Sequence, residues 1–427
     1  MPVALPEIFS QIPRYPILYP HPSPIHYLPA ISKLRGRNFY FKRDDQASPL
    51  ACSGNKYRKL EYIVPDILSD DPKYFRHEKH PESIQRNDRR MSMLVTEGAV
   101  QSNHMVQVAA LACKLNMKSY LLAGQGVGGG LTTSRNPVAF ARLGNSHINR
   151  MFTHGIRGLD PGHPLVDDAE PMLEELRFRG ERPYWIPGGA SLHPLGGLGY
   201  ARAAFEIVEQ EAEMELGGSG RFDIIVVACG SGSTVAGLIA GFKLQEKLRN
   251  EKDEQDRKEK GAIKDERRRP PQRKVVGVLV SPTNPRSYHE ERVLRFARQA
   301  GGLIGLDPEQ DITMEDVHLD DKFVGPGYGI YDEDTKWTVE HFAAVEAILL
   351  DPVYTGKAAR GMIEADYQWE YLGKSVCVQQ DPNILFIHTG GQNTLSAYTN
   401  GTVSQSPFCQ CASAPDLNSP DLYDKYM

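Results

Sequence analysis

Ile224-Ile-Val-Val-Ala-Cys-Gly-Ser-Gly-Ser-Thr-Val-Ala-Gly237 is the stretch on which the fold turns. Its first half is a short β-branched run of the kind that forms a buried strand. Its second half, Gly230, Ser231, Gly232, Ser233 and Thr234, is a small-residue loop that opens a helix. A strand that feeds a helix through a tight turn is the repeating unit of a parallel sheet covered by helices. Free backbone N–H groups at a helix N-terminus, with hydroxyls beside them, can also hold a phosphate. Neither Gly-x-x-x-x-Gly-Lys-Ser/Thr nor Gly-x-Gly-x-x-Gly is spelled here, so the loop is not a nucleotide motif. A tight turn with no ligand fits these residues equally well.

Working outward, three other segments have the same grammar. Met93-Leu-Val95 is apolar, Thr96-Glu-Gly-Ala-Val-Gln-Ser-Asn-His104 is a turn, and Val106–Leu115 is a helix-like run. Ser102 and Asn103 thus fall at a helix N-terminus, where a carboxylate is attracted and where either residue could equally serve only as a cap. Ile384-Leu-Phe-Ile-His388 reads as a strand and Thr389-Gly-Gly-Gln392 as its turn. Leu349-Leu-Asp-Pro-Val-Tyr-Thr-Gly-Lys357 also reads as strand then turn, which places Tyr354 and Thr355 at a strand's C-terminal edge, the ligand-binding edge of open α/β sheets. Finally, Ser53-Gly-Asn-Lys56 sets a lysine directly after a turn and at the start of the helical Tyr57-Arg-Lys-Leu-Glu-Tyr62. An amine held there in a cleft loses basicity on burial and can form a Schiff base with an aldehyde.

Taken together, these segments resemble the family of 1-aminocyclopropane-1-carboxylate (ACC) deaminases and D-cysteine desulfhydrases, pyridoxal-phosphate enzymes with the tryptophan synthase β-like fold (fold type II). The resemblance runs from about Phe9 to Tyr398. It rests on Phe41-Lys-Arg-Asp-Asp45, Gly54–Tyr62, Gln101-Ser-Asn103, His193-Pro-Leu-Gly-Gly-Leu-Gly199, Tyr328-Gly, Asp351–Lys357 and His388-Thr-Gly-Gly391. It implies that pyridoxal 5′-phosphate is the cofactor, that Lys56 is the Schiff-base lysine and base, and that Asn103 approaches the cofactor's O3′. Ser102 is then assigned to the substrate carboxylate, with Gln101 and Thr389 beside it. Lys59 and the Gly230–Thr234 loop are assigned to the phosphate, and Tyr328 and Tyr354 to the substrate pocket as proton carriers. Thr355 is assigned to the pyridine nitrogen. A homodimer acting on a small amino acid is also implied.

Position 355 separates the two activities. Deaminases of this family resemble one another in carrying Glu there and Leu at the position of Thr389; the desulfhydrases resemble this chain, with Thr at both. A Glu keeps the pyridine nitrogen protonated, which makes the ring the strong electron sink that a cyclopropane without an α-hydrogen needs. A Thr offers only a neutral hydrogen bond, sufficient for expelling a thiolate. The expectation is therefore β-elimination of D-cysteine to pyruvate, sulfide and ammonia. The alternatives are ACC deamination to 2-oxobutanoate and ammonia, and a catalytically weak cofactor- or amino-acid-binding protein. Ile186–Gly199 and the Phe9–Leu28 opening look more like the deaminase branch. Met105 and Val106 depart from both branches, which usually have Thr or Cys and then Arg.

The chain's 427 residues suit about two domains, and its net charge of −5 gives no electrostatic case for nucleic acid. No run of eighteen apolar residues predicts a membrane span, and the N-terminus lacks a signal pattern; the expected compartment is the cytoplasm. Cysteines at 52, 113, 229, 377, 409 and 411 do not form a disulfide framework or a metal set. Two open parallel-sheet α/β domains are expected. The large one spans 1–58 plus 183–401, with a charged insertion at 245–274; the small one spans 59–182, with a charged insertion at 69–92. Residues 402–427 read as a disordered tail. The 245–274 stretch, with twelve basic and eight acidic residues, reads as a solvated loop or frayed helix.

Overall fold

The computed structural model describes residues 3–74, 90–123, 140–158, 169–260, 272–281, 284–365, 367 and 382–398. The glycine-rich 124–130 segment, most of the first charged insertion, the 267–271 basic cluster and the 402–427 tail lie outside these residues.

Among the described residues, ten strands form two sheets. β1 (Ile25–Tyr27), β2 (Asn38–Lys42), β7 (Phe222–Cys229), β8 (Lys274–Leu279), β9 (His318–Asp320) and β10 (Asn383–Ile387) make the larger, in the order β1-β2-β10-β7-β8-β9. Among the described residues of this sheet, only the edge pair β1–β2 is antiparallel. β3 (Met93–Gly98), β4 (Lys118–Ala123), β5 (Gly155–Arg157) and β6 (Pro183–Ile186) make the smaller, all parallel, in the order β5-β4-β3-β6. The architecture is the parallel-sheet α/β fold that the sequence implied. The smaller sheet extends past the boundary placed at 182, because Met93 to Thr96 hydrogen-bond alongside Pro183 to Ile186.

Every residue of β7 is buried. With two parallel neighbours and helices on both faces, alternate side chains serve two cores. Ile225, Val227, Leu385 and Ile387 pack on one face with α7 (Leu198–Glu213), α8 (Ser233–Lys260) and α9 (Arg286–Leu303). Ile224, Val226, Ile384 and Phe386 pack on the other with α2 (Pro29–Arg35), α10 (Glu333–Glu346) and α11 (Thr355–Glu364). Each such side chain contributes about 1.5–3 kcal/mol when withdrawn from water. Helices α7 and α8 pack closely, with glycine at the contact. A Cβ on Gly237 would stand 2.2 Å from the Gly197 carbonyl oxygen, and one on Gly241 2.3 Å from that of Ala201.

One sequence expectation is narrowed and another changes. Of the two alternatives for the charged stretch after Gln245, loop or helix, the structure has the helix at its start, prolonging α8 to Lys260. Its Glu, Lys and Arg residues are good helix formers, and Lys258–Glu254 pair one turn apart at 3.1 Å. Leu349-Leu350 is not a strand. Helix α10 closes with Ala347 in the left-handed region (φ 55°), and the following backbone meets a side chain: the Leu349 carbonyl and the His388 ring lie 2.9 Å apart. Tyr354 and Thr355 therefore sit at the start of α11 rather than at a strand end. The remaining helices are α1 (Glu7–Ser10), α3 (Asn55–Ile67), α4 (Asn103–Lys114), α5 (Gly144–Phe152) and α6 (Glu170–Phe178). No helix among the described residues is long and apolar enough to cross a membrane.

Candidate active site

Two glycine turns set the position of Lys56. The backbone of Ser53–Asn55 lies directly on Thr389–Gly391: the Asn55 N–H donates to the Thr389 carbonyl (3.2 Å). A Cβ on Gly54 or on Gly390 would fall 2.5 Å from the facing carbonyl oxygen. Helix α3 starts from this contact. Lys56 Nζ donates to Asn55 Oδ1 (2.8 Å), while Asn55 Nδ2 donates to Thr234 Oγ1 of the small-residue loop (3.2 Å). Burial brings the Lys56 amine down to about 8, with Asp351 opposing the change. One turn on, Lys59 donates to the Gly189 carbonyl (3.0 Å). Burial first, and then the charge of Lys56, pull its amine well below the usual lysine value. His104 is buried and kept neutral for the same reasons, burial followed by Lys56 and Lys59.

The other walls come from turns after strands. Beyond β3, Ser102 caps α4, its Oγ accepting from Met105 N–H (3.2 Å). Asn103 is held by Asn145, whose Nδ2 donates to Asn103 Oδ1 (2.6 Å). Beyond β7, Gly232 takes φ +102°, a conformation that glycine adopts without strain. Ser191 Oγ donates to Ser231 Oγ (2.6 Å) and lies 2.8 Å from Ser233 Oγ. Tyr328 and Tyr354 bring their hydroxyls to 2.5 Å from each other.

Lys56, Lys59, Ser102, Asn103, Tyr328, Tyr354 and Thr389, with Gly230, Ser231, Gly232 and Thr234, line one cleft of roughly 560 Å³ between the two sheets. Three residues assigned to the site by resemblance do not line it. Gln101 is turned into the protein: its amide nitrogen donates to the Phe140 carbonyl (2.6 Å) and its oxygen accepts from Asn145 N–H (2.9 Å), which ties α5 to the end of β3. Ser233 is buried behind Ser191. Thr355 is fully buried, and its hydroxyl is taken up by Asp351.

The sequence reading also passed over cleft residues. His104 and Ser191 stood inside quoted motifs without a role. Arg292 and Arg295 of α9 line the cleft, and Arg292 Nη2 donates to the Gly230 carbonyl (2.7 Å). Nothing in the spacing of α9 distinguishes these arginines from its other charged residues. Val106, where the family usually has Arg, is fully buried, so the cleft's guanidinium groups come from α9 instead. A second cavity, of roughly 360 Å³, opens beside α7 and α8. It is lined by ion pairs, Arg273 with Glu211 (2.8 Å) and Lys243 with Asp316 (3.1 Å), and it does not include Lys56 or Lys59.

The cleft combines two amines depressed by burial, a small-residue loop at the N-terminus of α8, and a second helix N-terminus at α4. This donor set fits a phosphorylated aldehyde: one amine to bond the carbonyl carbon, another amine and the loop to meet the phosphate. Such a site, between two parallel sheets, defines an enzyme that works through an aldehyde cofactor. Comparison with known proteins agrees. The family model described as pyridoxal-phosphate dependent enzyme matches residues 18–390, and the chain belongs to that family, with pyridoxal phosphate as its cofactor. A 1-aminocyclopropane-1-carboxylate deaminase of Burkholderia multivorans is 36% identical over 396 residues, 91% of this chain and 97% of the relative. One of Bradyrhizobium diazoefficiens is 32% identical over 395 residues, 92% and 98% of the two chains. A crystal structure of an ACC deaminase homologue superposes with a TM-score of 0.66 at 28% identity, covering 92% of this chain and 98% of that one.

Proposed function

We propose that this enzyme deaminates 1-aminocyclopropane-1-carboxylate, giving 2-oxobutanoate and ammonia. The observation that carries the reading is the tyrosine pair. Burial, the largest influence on both, raises Tyr328 and Tyr354 above the ordinary phenol value. Two un-ionised phenols 2.5 Å apart are a proton source rather than a base. A thiolate leaves without acid assistance, whereas a ring carbon cut from its neighbour must take up a proton. A paired acid in the cleft therefore suits the cyclopropane better than D-cysteine. The near full-length similarity to the two deaminases supports the same choice.

In this reading Lys56 would hold the cofactor through its aldehyde, and its amine, brought near neutrality by burial, would move protons at the substrate. Lys59 and the Gly230–Thr234 loop hold the phosphate. The substrate carboxylate lies at the N-terminus of α4, beside Ser102 and Asn103. Tyr354 and Tyr328 protonate the carbon released by ring opening. The cofactor, when bound, supplies the electron sink. Water then replaces the nitrogen, so the products are 2-oxobutanoate and ammonia.

D-cysteine β-elimination remains the second reading, because Thr355 and Thr389 are the residues of that branch. Incubating the cofactor-loaded protein with each substrate separates them. 2-Oxobutanoate from ACC supports the proposal; sulfide and pyruvate from D-cysteine, with ACC untouched, overturns it. Cofactor binding without turnover of either leaves a binding protein.

A further inference from the structure

The cleft holds more positive charge than the proposed function has used. Among the described residues that line it, Lys56, Lys59, Arg292 and Arg295 are cations and Glu97 is the one acid. Lys56 is taken by the aldehyde in that reading. Arg295 is exposed, its guanidinium over the Phe296 ring (5.3 Å). Arg292 is half-buried and has no carboxylate bonded to it among the described residues.

Arg292 is fixed against the small-residue loop. Its Nη2 donates to the Gly230 carbonyl (2.7 Å) and to Nδ1 of His289, one turn earlier on α9 (2.9 Å). His289 is buried, and a guanidinium can only donate, so Nδ1 is the acceptor. The side chain runs along the loop: a Cβ on Gly232 would fall 3.7 Å from Arg292 Nε. Both N–H groups of Nη2 are therefore used, while Nε and Nη1 make no hydrogen bond among the described residues. Lys59 reaches the same loop through another chain segment. Its Nζ donates to the Gly189 carbonyl (3.0 Å), and a Cβ on Gly189 would fall 2.4 Å from Ser231 Oγ. Cys229, the residue before the loop, feels both charges: burial pushes its thiol up to about 11, and Arg292 and then Lys59 oppose the rise.

We infer that Arg292 is the second cation of the phosphate site, and that it and Lys59 together match a doubly charged phosphate on the Gly230–Thr234 loop. A phosphate monoester carries close to two negative charges at neutral pH, more than one lysine balances. The guanidinium is permanently charged, and its planar edge suits phosphate oxygens. Because Gly230 and His289 already hold Nη2, the group is oriented before the ligand arrives, and little side-chain freedom is lost on binding. The inference deepens the proposed function: it rests on the seating of the phosphate on this loop, and it is independent of which amino acid is turned over.

The test needs no turnover. The cofactor-free full chain is titrated by fluorescence with pyridoxal phosphate and with pyridoxal, which has the aldehyde but no phosphate. Arg292→Gln keeps a donor for the Gly230 carbonyl and removes the charge. It is expected to weaken pyridoxal phosphate binding about tenfold to a hundredfold and to leave pyridoxal binding unchanged, and Arg292→Lys is expected to recover most of the loss. 31P NMR of the bound cofactor reads the charge directly. The wild type should keep the phosphate doubly ionised below its usual second pKa of about 6, whereas Arg292→Gln should let it take up a proton there, since a nearby cation favours the charged form. Equal losses for the two ligands, no loss, a Lys variant no better than the Gln, or a phosphate that titrates alike in wild type and Arg292→Gln overturns the inference. A wild type that holds pyridoxal as tightly as its phosphate ester removes the seating itself, and with it that part of the proposed function.

Discussion

Helix α3 carries two sets of charge, one buried and one, half-buried Lys56 and buried Lys59, at the cleft, that are handled in opposite ways. Arg58 meets Asp44 (2.7 Å) and Glu206 (2.9 Å), and Lys42 meets Glu206 (2.7 Å). Two cations and two anions are thus balanced and hydrogen-bonded, with Tyr200 adding a bond to Asp44 (2.7 Å). Lys56 and Lys59, on either side of Arg58 in sequence, have no carboxylate bonded to them among the described residues; their hydrogen bonds go to an amide oxygen and a carbonyl. The balanced set locks the helix to the larger sheet's N-terminal arm. The unbalanced pair is left short of an anion, and in the proposed function the phosphate of the cofactor would supply it. A buried cation with its partners is structure; one without them is a binding site in waiting.

The comparison is best broken by removing one cation from each set. Lys56→Met should abolish turnover, by about ten-thousandfold or more, since no other amine stands in for it. The cofactor-free protein should nevertheless be no less stable, because a costly buried amine has gone; a large fall in melting temperature would place Lys56 among the structural charges. Arg58→Leu should do the reverse. Stranding Asp44 and Glu206 without their shared partner is expected to cost roughly 3–5 kcal/mol in urea unfolding, and a loss under 1 kcal/mol would dissolve the contrast. Lys59→Met comes next in size. Losing one charge-assisted bond to phosphate should weaken cofactor binding about tenfold to a hundredfold by fluorescence titration, with unfolding of the cofactor-free protein unaffected.

How much of this was readable beforehand follows the same division. The parallel sheets were legible because Ile224–Cys229 of β7 and Ile384–Ile387 of β10 are apolar runs that lead into glycine turns, a local signal. Lys56, Lys59 and the Gly230–Thr234 loop were legible because each stands in a strand–turn–helix context. What stayed hidden depends on side-chain partners far apart in sequence. Gln101 lay in the same quoted motif as Ser102, yet Asn145 and Phe140 turn it inward, and no local pattern announces that. Thr355 was read as a hydrogen-bond donor to the cofactor ring. Asp351, four residues earlier, had already claimed its proton. An Asp shortly before a helix is a recognisable capping signal, and it accounts for the Thr355 hydroxyl being occupied. Past Gln245 the sequence left loop and frayed helix open, because a charge-rich stretch reads as solvated in either conformation; the structure has the helix as far as Lys260.

The smallest expected effect is on the pH dependence of stability, and it has opposite signs on the two faces of α3. Burial alone disfavours the ionised forms of Asp44 and Glu206, but Arg58 and Lys42 more than offset it, and both carboxyls lie below the usual range. Their contribution is complete above the unfolded value of about 4 and is lost as pH falls through the folded values. Lys56 works the other way. Its amine titrates at about 8 in the folded protein against 10.5 in the open chain, so between those values the unfolded chain holds the extra proton and stability rises with pH. The slope cannot exceed about 1.4 kcal/mol per pH unit for one proton. Urea unfolding of the cofactor-free protein from pH 8 to 10 should show this rise in the wild type and a weaker one in Lys56→Met. Identical slopes would mean that Lys56 is as well solvated as a surface lysine, and the contrast between the two faces of α3 would then rest on Lys59 alone.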